Sequence, residues 1–174
     1  MAISGGSAYT IANNSTTNIQ GTINNAGTIL LNSTGSPTFL SVPAGAVATL
    51  TGGGAVSLSG NANNALNGAT LNNGGNTIKG LGTFSVGSYA QSGGLFQVPA
   101  GATAAPGAFA LNGGTAQVDG TLSVAGGVGV TASGILIGTG AITPSVTSSG
   151  TVQAGDSPTT GILTINGSGA GNYS

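Results

Sequence analysis

Large apolar residues alternate with small or polar residues in short segments along most of the chain. The segments are Leu40–Val42, Val56–Leu58, Phe84–Val86, Phe96–Val98, Phe109–Leu111, Leu122–Val124, Val128–Val130, Ile135–Ile137 and Leu163–Ile165. A period of two places the large residues on one face of a strand, so the pattern predicts short strands with one buried face. Helices are not expected, because glycine, asparagine and β-branched residues recur every few positions and weaken them.

Glycine and asparagine clusters separate these segments. They are Gly52–Gly54, Asn72–Gly75, Gly93–Gly94, Asn112–Gly114, Asp119–Gly120 and Gly126–Gly127. Such residues accommodate the positive φ angles of sharp corners. Two longer polar stretches, Ser33–Pro37 and Asn61–Asn67, are predicted to be loops inserted at corners.

A longer period relates the short strands to one another. Three series of apolar positions repeat at intervals of 17 to 21 residues: Phe96, Ala116, Ile135 and Val152; Phe109, Val128 and Val146; Leu122, Ile142 and Leu163. Three interleaved series with a common period predict an all-β fold, a right-handed parallel β-helix (solenoid) with about three short strands per rung. We expect residues 1–174 to form a single solenoid domain, with a rod on the order of 40 Å long at about 4.8 Å per rung.

Charge is almost absent from the chain and limits its chemistry. Lys79, Asp119 and Asp156 are the only charged side chains among 174 residues, and Glu, Arg, His and Cys are missing. This composition excludes the basic surface that nucleic acid or anionic lipid requires. The apolar content of 39% and the mean hydropathy of +0.33 favour a folded chain over a disordered one.

Targeting and membrane segments are not recognisable in the sequence. No stretch approaches the roughly 18 apolar residues of a transmembrane helix, and membrane insertion by this segment is not expected. The opening residues MAISGGSAYTIANNS have neither a basic region nor a continuous apolar region of a signal peptide. We therefore expect a segment excised from a larger protein.

The candidates for acid–base chemistry are very few. A two-carboxylate glycosidase would need Asp119 and Asp156 within roughly 5–10 Å of each other. Asp119 precedes Gly120 and Asp156 precedes Ser157-Pro158, which is typical of turn residues. Two carboxylates also fall short of a Ca²⁺ site, and Lys79 is predicted to be a single solvated charge. We predict no catalytic, cofactor-binding or metal-binding residues and no cofactor.

The sixteen asparagines are a distinctive polar feature. Four pairs occur, at Asn13-Asn14, Asn24-Asn25, Asn63-Asn64 and Asn72-Asn73. We predict that asparagine amides stack at corners and bond from rung to rung. The alternative is an uncharged polar surface for sugar hydroxyls or ice; ice binding is disfavoured because Gly-Thr pairs do not recur at a steady interval.

Two regions carry a resemblance to known adhesins. Gly150-Thr151-Val152, Ala154–Pro158 and Leu163–Gly167 occur in the order found in passenger domains of bacterial autotransporter adhesins, and the sequence resembles them, with Asn172-Tyr173 beginning a following strand. Ala154 and Asp156 differ from the Pro and Asn common in that family. Residues 52–86 resemble the repeats of filamentous haemagglutinin-like adhesins. The resemblance implies a secreted or cell-surface β-helical segment of a larger bacterial adhesin.

The sequence therefore predicts a non-enzymatic stalk or spacer outside the cell. Expected partners are neighbouring segments of the parent adhesin or identical subunits end to end, with a host surface or glycan as a further candidate and no nucleic acid. One alternative is a self-assembling subunit of an extracellular filament, either a solenoid or a strand-donating sandwich. A carbohydrate-active β-helix enzyme is the least favoured alternative.

Overall fold

A computed structural model describes residues 1–58, 60–156 and 160–167. The strands in these residues are β1 (Ala2–Ile3), β2 (Ala8–Ala12), β3 (Thr16–Asn18), β4 (Gly21–Asn25), β5 (Thr28–Asn32), β6 (Thr38–Thr51), β7 (Ala55–Leu58), β8 (Asn64–Gly80), β9 (Thr83–Val98), β10 (Thr103–Ala104), β11 (Ala108–Leu111), β12 (Gly114–Val118), β13 (Thr121–Ser123), β14 (Val128–Val130), β15 (Gly134–Gly138), β16 (Ala141–Thr143), β17 (Val146–Ser148), β18 (Thr151–Ala154) and β19 (Thr164–Ile165). The described part of the chain contains no helix, and so none that could cross a membrane.

The named strands pair in parallel and stack into three sheets around a common interior. Sheet A contains β1, β4, β11, β14 and β17; sheet B contains β2, β5, β7, β12, β15 and β18; sheet C contains β3, β10, β13, β16 and β19. The long strands β6, β8 and β9 turn corners, so β6 joins sheets C and A, and β8 and β9 cross all three. The result is the predicted all-β parallel solenoid, with about 8 turns.

Strand register confirms most of the predicted period. Phe109 pairs with Val128 and Val128 with Val146 in sheet A, and Leu122 pairs with Ile142 in sheet C. The large residues of each rung therefore stack directly on those of the next. The first rungs are longer than the later ones, because corner insertions such as Ser33–Pro37 lengthen them.

Two members of the predicted series are wrong by one or two positions. Leu136, not Ile135, continues the column of Ala116 and Val152; Leu136 is fully buried, whereas Ile135 is 41% exposed on the outer surface. Because Ile135, Leu136 and Ile137 are all apolar, the alternation of the sequence does not show which of them faces inward. In sheet C it is Ile165, not Leu163, that pairs with Ile142; more residues separate β18 from β19 than separate β15 from β16 or β12 from β13.

The predicted loops have mixed outcomes. Ser33–Pro37 forms a loop between β5 and β6, as expected. The stretch Asn61–Asn67 is only half a loop, since β8 begins at Asn64 and buries both Asn64 and Leu66. Burial of Leu66 under Leu40 stabilises strand here despite the polar composition. The predicted turn at Ser157-Pro158 and strand at Asn172-Tyr173 lie outside the described residues.

The interior is a continuous apolar core with one aromatic cluster. Phe84, Tyr89 and Phe96 all lie on β9, and Phe109 stacks on Tyr89 in the next rung, with neighbouring ring centroids 4.8 to 5.4 Å apart. All four are buried. Tilted and edge-to-face rings at these separations attract one another beyond the area that they bury, so the cluster adds to the stability of the middle rungs.

Candidate functional site

The three charged side chains lie on the outer side of one sheet. Lys79 is near the end of β8, and Asp119 directly follows β12, both in sheet B. Asp156 follows β18, where Gly155 forms an antiparallel bridge back to Gly138. Because the chain has no other charged side chain, sheet B is the chemically distinctive surface of the rod.

Long polar side chains form an outward column along sheet B. Ser57 pairs with Lys79, Gln97 pairs with Gln117, and Ile137 pairs with Gln153. The Gln97 Nε2 donates to the Gln117 Oε1 at 3.3 Å, which links two rungs on the surface. This column, with Asp119 and Asp156 beside it, is the candidate site.

Gln117 joins the two carboxylates of the chain. Its Nε2 donates to Asp119 Oδ2 and to Asp156 Oδ2, each at 2.9 Å. The two oxygens are therefore separated by at most twice that distance. Thr139 adds two bonds to Asp119 Oδ1, from its amide N at 3.2 Å and its hydroxyl at 3.1 Å. Both aspartates follow strand ends, as turn residues do. Gln117 also brings their two carboxylates close together, which the sequence did not predict.

The separation of the carboxyl oxygens falls within reach of a two-carboxylate mechanism. The Gln117 amide nitrogen bridges the two carboxylates. A separate cavity of about 10 Å³, which Lys79, Gln97 and Phe96 help to line and which the two aspartates do not, has room for one water. No group of three or more His, Cys, Asp or Glu side chains assembles in the described residues.

A second polar cluster lies inside the rod, where sheets A and B meet. The Asn25 Nδ2 donates to Asn76 Oδ1 at 2.8 Å and to the Ala55 carbonyl at 2.9 Å. The Asn76 Nδ2 donates in turn to the Thr51 carbonyl at 2.9 Å. The Asn73 Oδ1 accepts from the Asn76 amide at 2.8 Å, and the Asn73 Nδ2 donates to the Asn76 carbonyl at 2.8 Å. These bonds tie adjacent rungs and satisfy the corner backbone.

Tyr89 and Gln91 extend this interior cluster by one rung. The Tyr89 hydroxyl donates to Gln91 Oε1 at 2.8 Å, and Gln91 Nε2 donates to the carbonyls of Gly94 at 3.2 Å and Thr115 at 2.8 Å. Burial raises the pKa of Tyr89, and the hydrogen bond from Asn73 lowers it by less. The phenol therefore stays protonated and remains a donor.

The predicted structural use of asparagine pairs agrees with these contacts. In three of the four pairs the second member points inward and is fully buried: Asn25, Asn64 and Asn73. Their amides bond to a different rung or to the corner backbone, and the Asn64 Oδ1 accepts from the Ser33 amide at 3.0 Å. The arrangement is a set of separate bridges, of which only that from Asn25 to Asn76 joins two asparagine side chains among the contacts described here, and not a continuous ladder.

Threonine also stacks more regularly than the sequence indicated. On the outer side of sheet C, Thr103 pairs with Thr121, and Thr83 precedes the Phe84 that pairs with Ala104. Ala65 and Ala141 occupy the same column and interrupt it. The rungs differ in length, so threonines that stack in this column are not separated by one constant number of residues along the sequence.

Sequence reasoning missed Gln117, Tyr89 and Gln91 as members of these polar clusters. Tyr89-Ala90-Gln91 has the same alternation as the apolar segments, so the inward position of both polar side chains was available from the pattern. The proximity of the Asp119 and Asp156 carboxylates was not available from the pattern, because it depends on a bridge between Gly155 and the distant Gly138.

Comparison with known proteins gives no relative for this chain: no family model, no curated protein and no solved structure matches it.

Proposed function

We propose that this chain is a structural stalk or spacer segment of a secreted or cell-surface bacterial adhesin, similar in role to an autotransporter passenger. The observation that carries the proposal is the uninterrupted stacking of inward residues through all the rungs. Ile29, Val56 and Ile78 are successive members of one such column, and each is at most 1% exposed. A rod that is filled throughout transmits force and sets distance.

The polar uncharged surface fits that role. Outer positions on sheets A and C are mostly Thr, Ser, Asn, Ala and Gly, which remain solvated over a wide range of pH and salt. The interior is bonded across rungs by backbone and amide groups. A spacer outside a cell has to stay folded while the pH and salt concentration around it change, and it does not require a ligand pocket.

The proposed partners are neighbouring segments of a parent adhesin, continuing the rod at its ends. Tyr9 pairs with Ile29 and occupies the same inward column, yet Tyr9 is 38% exposed and Ile29 is fully buried. The first rung thus offers the edges of β1 to β3 and a partly covered core. End-to-end stacking of identical chains into a filament is the second candidate function, favoured by the same exposed rung.

Small-angle X-ray scattering over a hundredfold range of concentration tests the stalk against the filament. A stalk segment gives a rod roughly 40 Å long, from about 4.8 Å per rung, at every concentration. Growth in length at constant cross-section supports the filament instead.

For the cellular role, an epitope placed beyond the chain on an anchored surface protein becomes accessible to antibody only if the chain spaces it outward. A scrambled chain of the same length is the control.

A further inference from the structure

The charges of this chain are arranged on one face with opposite signs at different heights. Lys79 and Gln117 belong to one outward column of sheet B, with Gln97 on the rung between them. At about 4.8 Å per rung, Lys79 lies roughly 10 Å along the axis from the pair of carboxylates that Gln117 joins. The face therefore has a positive rung and a negative rung, two rungs apart.

Such a face is complementary to itself when two rods run antiparallel. A two-fold axis that lies in the interface along the strands, through the rung of Gln97, reverses the order of the rungs but keeps each column opposite itself. The rung of Lys79 then faces the rung of Gln117 and Asp119 in the second copy, and the same contact occurs twice. Isologous pairing of this kind is the commonest form of homodimer.

Apolar side chains lie where this pairing would bury them. Leu95 is half-buried on the outer side of sheet B, beside Gln97, and would meet the Leu95 of the second copy at the axis. Ile135 is 41% exposed on the same side, and Ile137 is half-buried there. Outer positions on the later rungs of sheet A are smaller, with Ala90, Ala110 and Gly129 in one column.

We propose that sheet B is a lateral docking surface for a second copy of this chain, paired antiparallel through Lys79 of one copy and the Asp119 and Asp156 carboxylates of the other. This goes beyond a stalk or filament, because it joins rods side by side and not end to end. Because the axis lies on the fifth of eight rungs, seven rungs overlap, and a face of roughly 34 Å by 15 Å gives about 500 Å² per copy, which is below the approximately 800 Å² of a standard interface. The expected association is therefore weak and reversible.

The test is sedimentation equilibrium of the whole chain from micromolar to millimolar concentration. The unmodified chain is expected to dimerise, with an affinity that falls as salt rises. Lys79→Asp removes the positive rung, and Asp119→Lys weakens the negative one, so each variant alone should have a Kd raised roughly tenfold or more. An equimolar mixture should recover dimers, because each changed rung then faces its opposite charge. Recovery also shows that both variants are folded.

The matched control carries Ser85→Asp and Thr103→Asp on sheet C, which give the same net charge as Lys79→Asp while leaving sheet B unchanged. Its dimerisation should equal that of the unmodified chain. Scattering then separates lateral from end-to-end association: lateral pairs keep the length of one rod and double its cross-section. A chain that is monomeric at millimolar concentration, associates only end to end, or gives no recovery in the mixture overturns the proposal.

Discussion

The Tyr89 hydroxyl donates a hydrogen bond of 2.8 Å to the Gln91 side-chain carbonyl inside a core of aliphatic and aromatic residues. The two residues are on one strand, two positions apart, and both are at most 1% exposed. The Gln91 amide group donates its hydrogens to two backbone carbonyls, at Gly94 and Thr115. The tyrosine hydroxyl is thus the donor that satisfies the remaining buried oxygen of this side chain.

Tyr89→Phe should destabilise the solenoid by about 1–3 kcal/mol, because it leaves Gln91 Oε1 buried without its donor. Urea unfolding followed by far-ultraviolet circular dichroism measures the change. Tyr9→Phe is the matched control: its hydroxyl bonds to Thr17 Oγ1 at 3.1 Å on the exposed first rung, so its loss should cost less than about 0.5 kcal/mol. Equal effects at the two positions would contradict the role assigned to the interior bond.

Alkaline pH should weaken the fold through the same tyrosine. Burial raises the pKa of Tyr89 in the folded state, whereas the unfolded chain ionises near the ordinary value of about 10. The stability due to this shift is fully present below about pH 10 and falls as pH rises above it, since only the unfolded state then releases the proton. Unfolding midpoints from about pH 4 to 12 should be nearly flat to about pH 9 and then decrease. A decrease of the same size in Tyr89→Phe would assign the effect to another group.

Close stacking of backbone makes certain glycines irreplaceable. Gly138 has φ of 138°, and a Cβ there would overlap the carbonyl oxygen of Val118 on the preceding rung. Gly138→Ala should therefore cost more than about 2 kcal/mol, from backbone strain and steric overlap together. Gly129→Ala is the control, since a Cβ there meets nothing within 4 Å, and it should be neutral or slightly stabilising. Thermal unfolding of the two variants distinguishes these outcomes.

The fold was predictable from the sequence because its signal is local and repeated. Alternation of large and small residues marks one buried face at Phe109–Leu111 as well as at Leu122–Val124, and the period of about 20 follows from stacking one rung on the next. The prediction failed where the alternation did not show which residues face inward. Ile135-Leu136-Ile137 alternates equally well in either register, and only the pairing of Leu136 with Ala116 decides it.

The surface site was less predictable than the fold. Gln117 pairs with Gln97 one rung away, so the glutamine column follows from the correct register. Asp156 is 39 residues from Gln117, and the bridge between Gly155 and Gly138 holds the chain next to it within reach. The sequence marks Asp156 as a turn residue, but nothing local in it identifies Gly138 and Gln117 as the distant residues beside which the turn lies.

Gln117→Glu should convert the bridge into a repulsive cluster. The replacement keeps the shape of the side chain but places a third carboxylate where the amide nitrogen now lies 2.9 Å from both Asp119 and Asp156. Like charges this close, near a protein surface, repel by roughly 2 kcal/mol or more. We expect a loss of stability of that order at neutral pH.

The loss of stability in Gln117→Glu should be reversible with pH, and the direction of its pH dependence identifies charge repulsion as the cause. In the folded variant the neighbouring carboxylates raise the pKa of the introduced glutamate above its unfolded value of about 4.3. The destabilisation is thus complete above the folded pKa and disappears as pH falls to about 4 and below, where the new carboxyl binds a proton in both states. Urea midpoints at about pH 3.5 and about pH 7 measure it. Gln97→Glu, which places its charge one rung nearer Lys79, should show little of this dependence. A deficit in Gln117→Glu that persists unchanged at the acidic pH would mean that the bridge acts through its shape and not through charge.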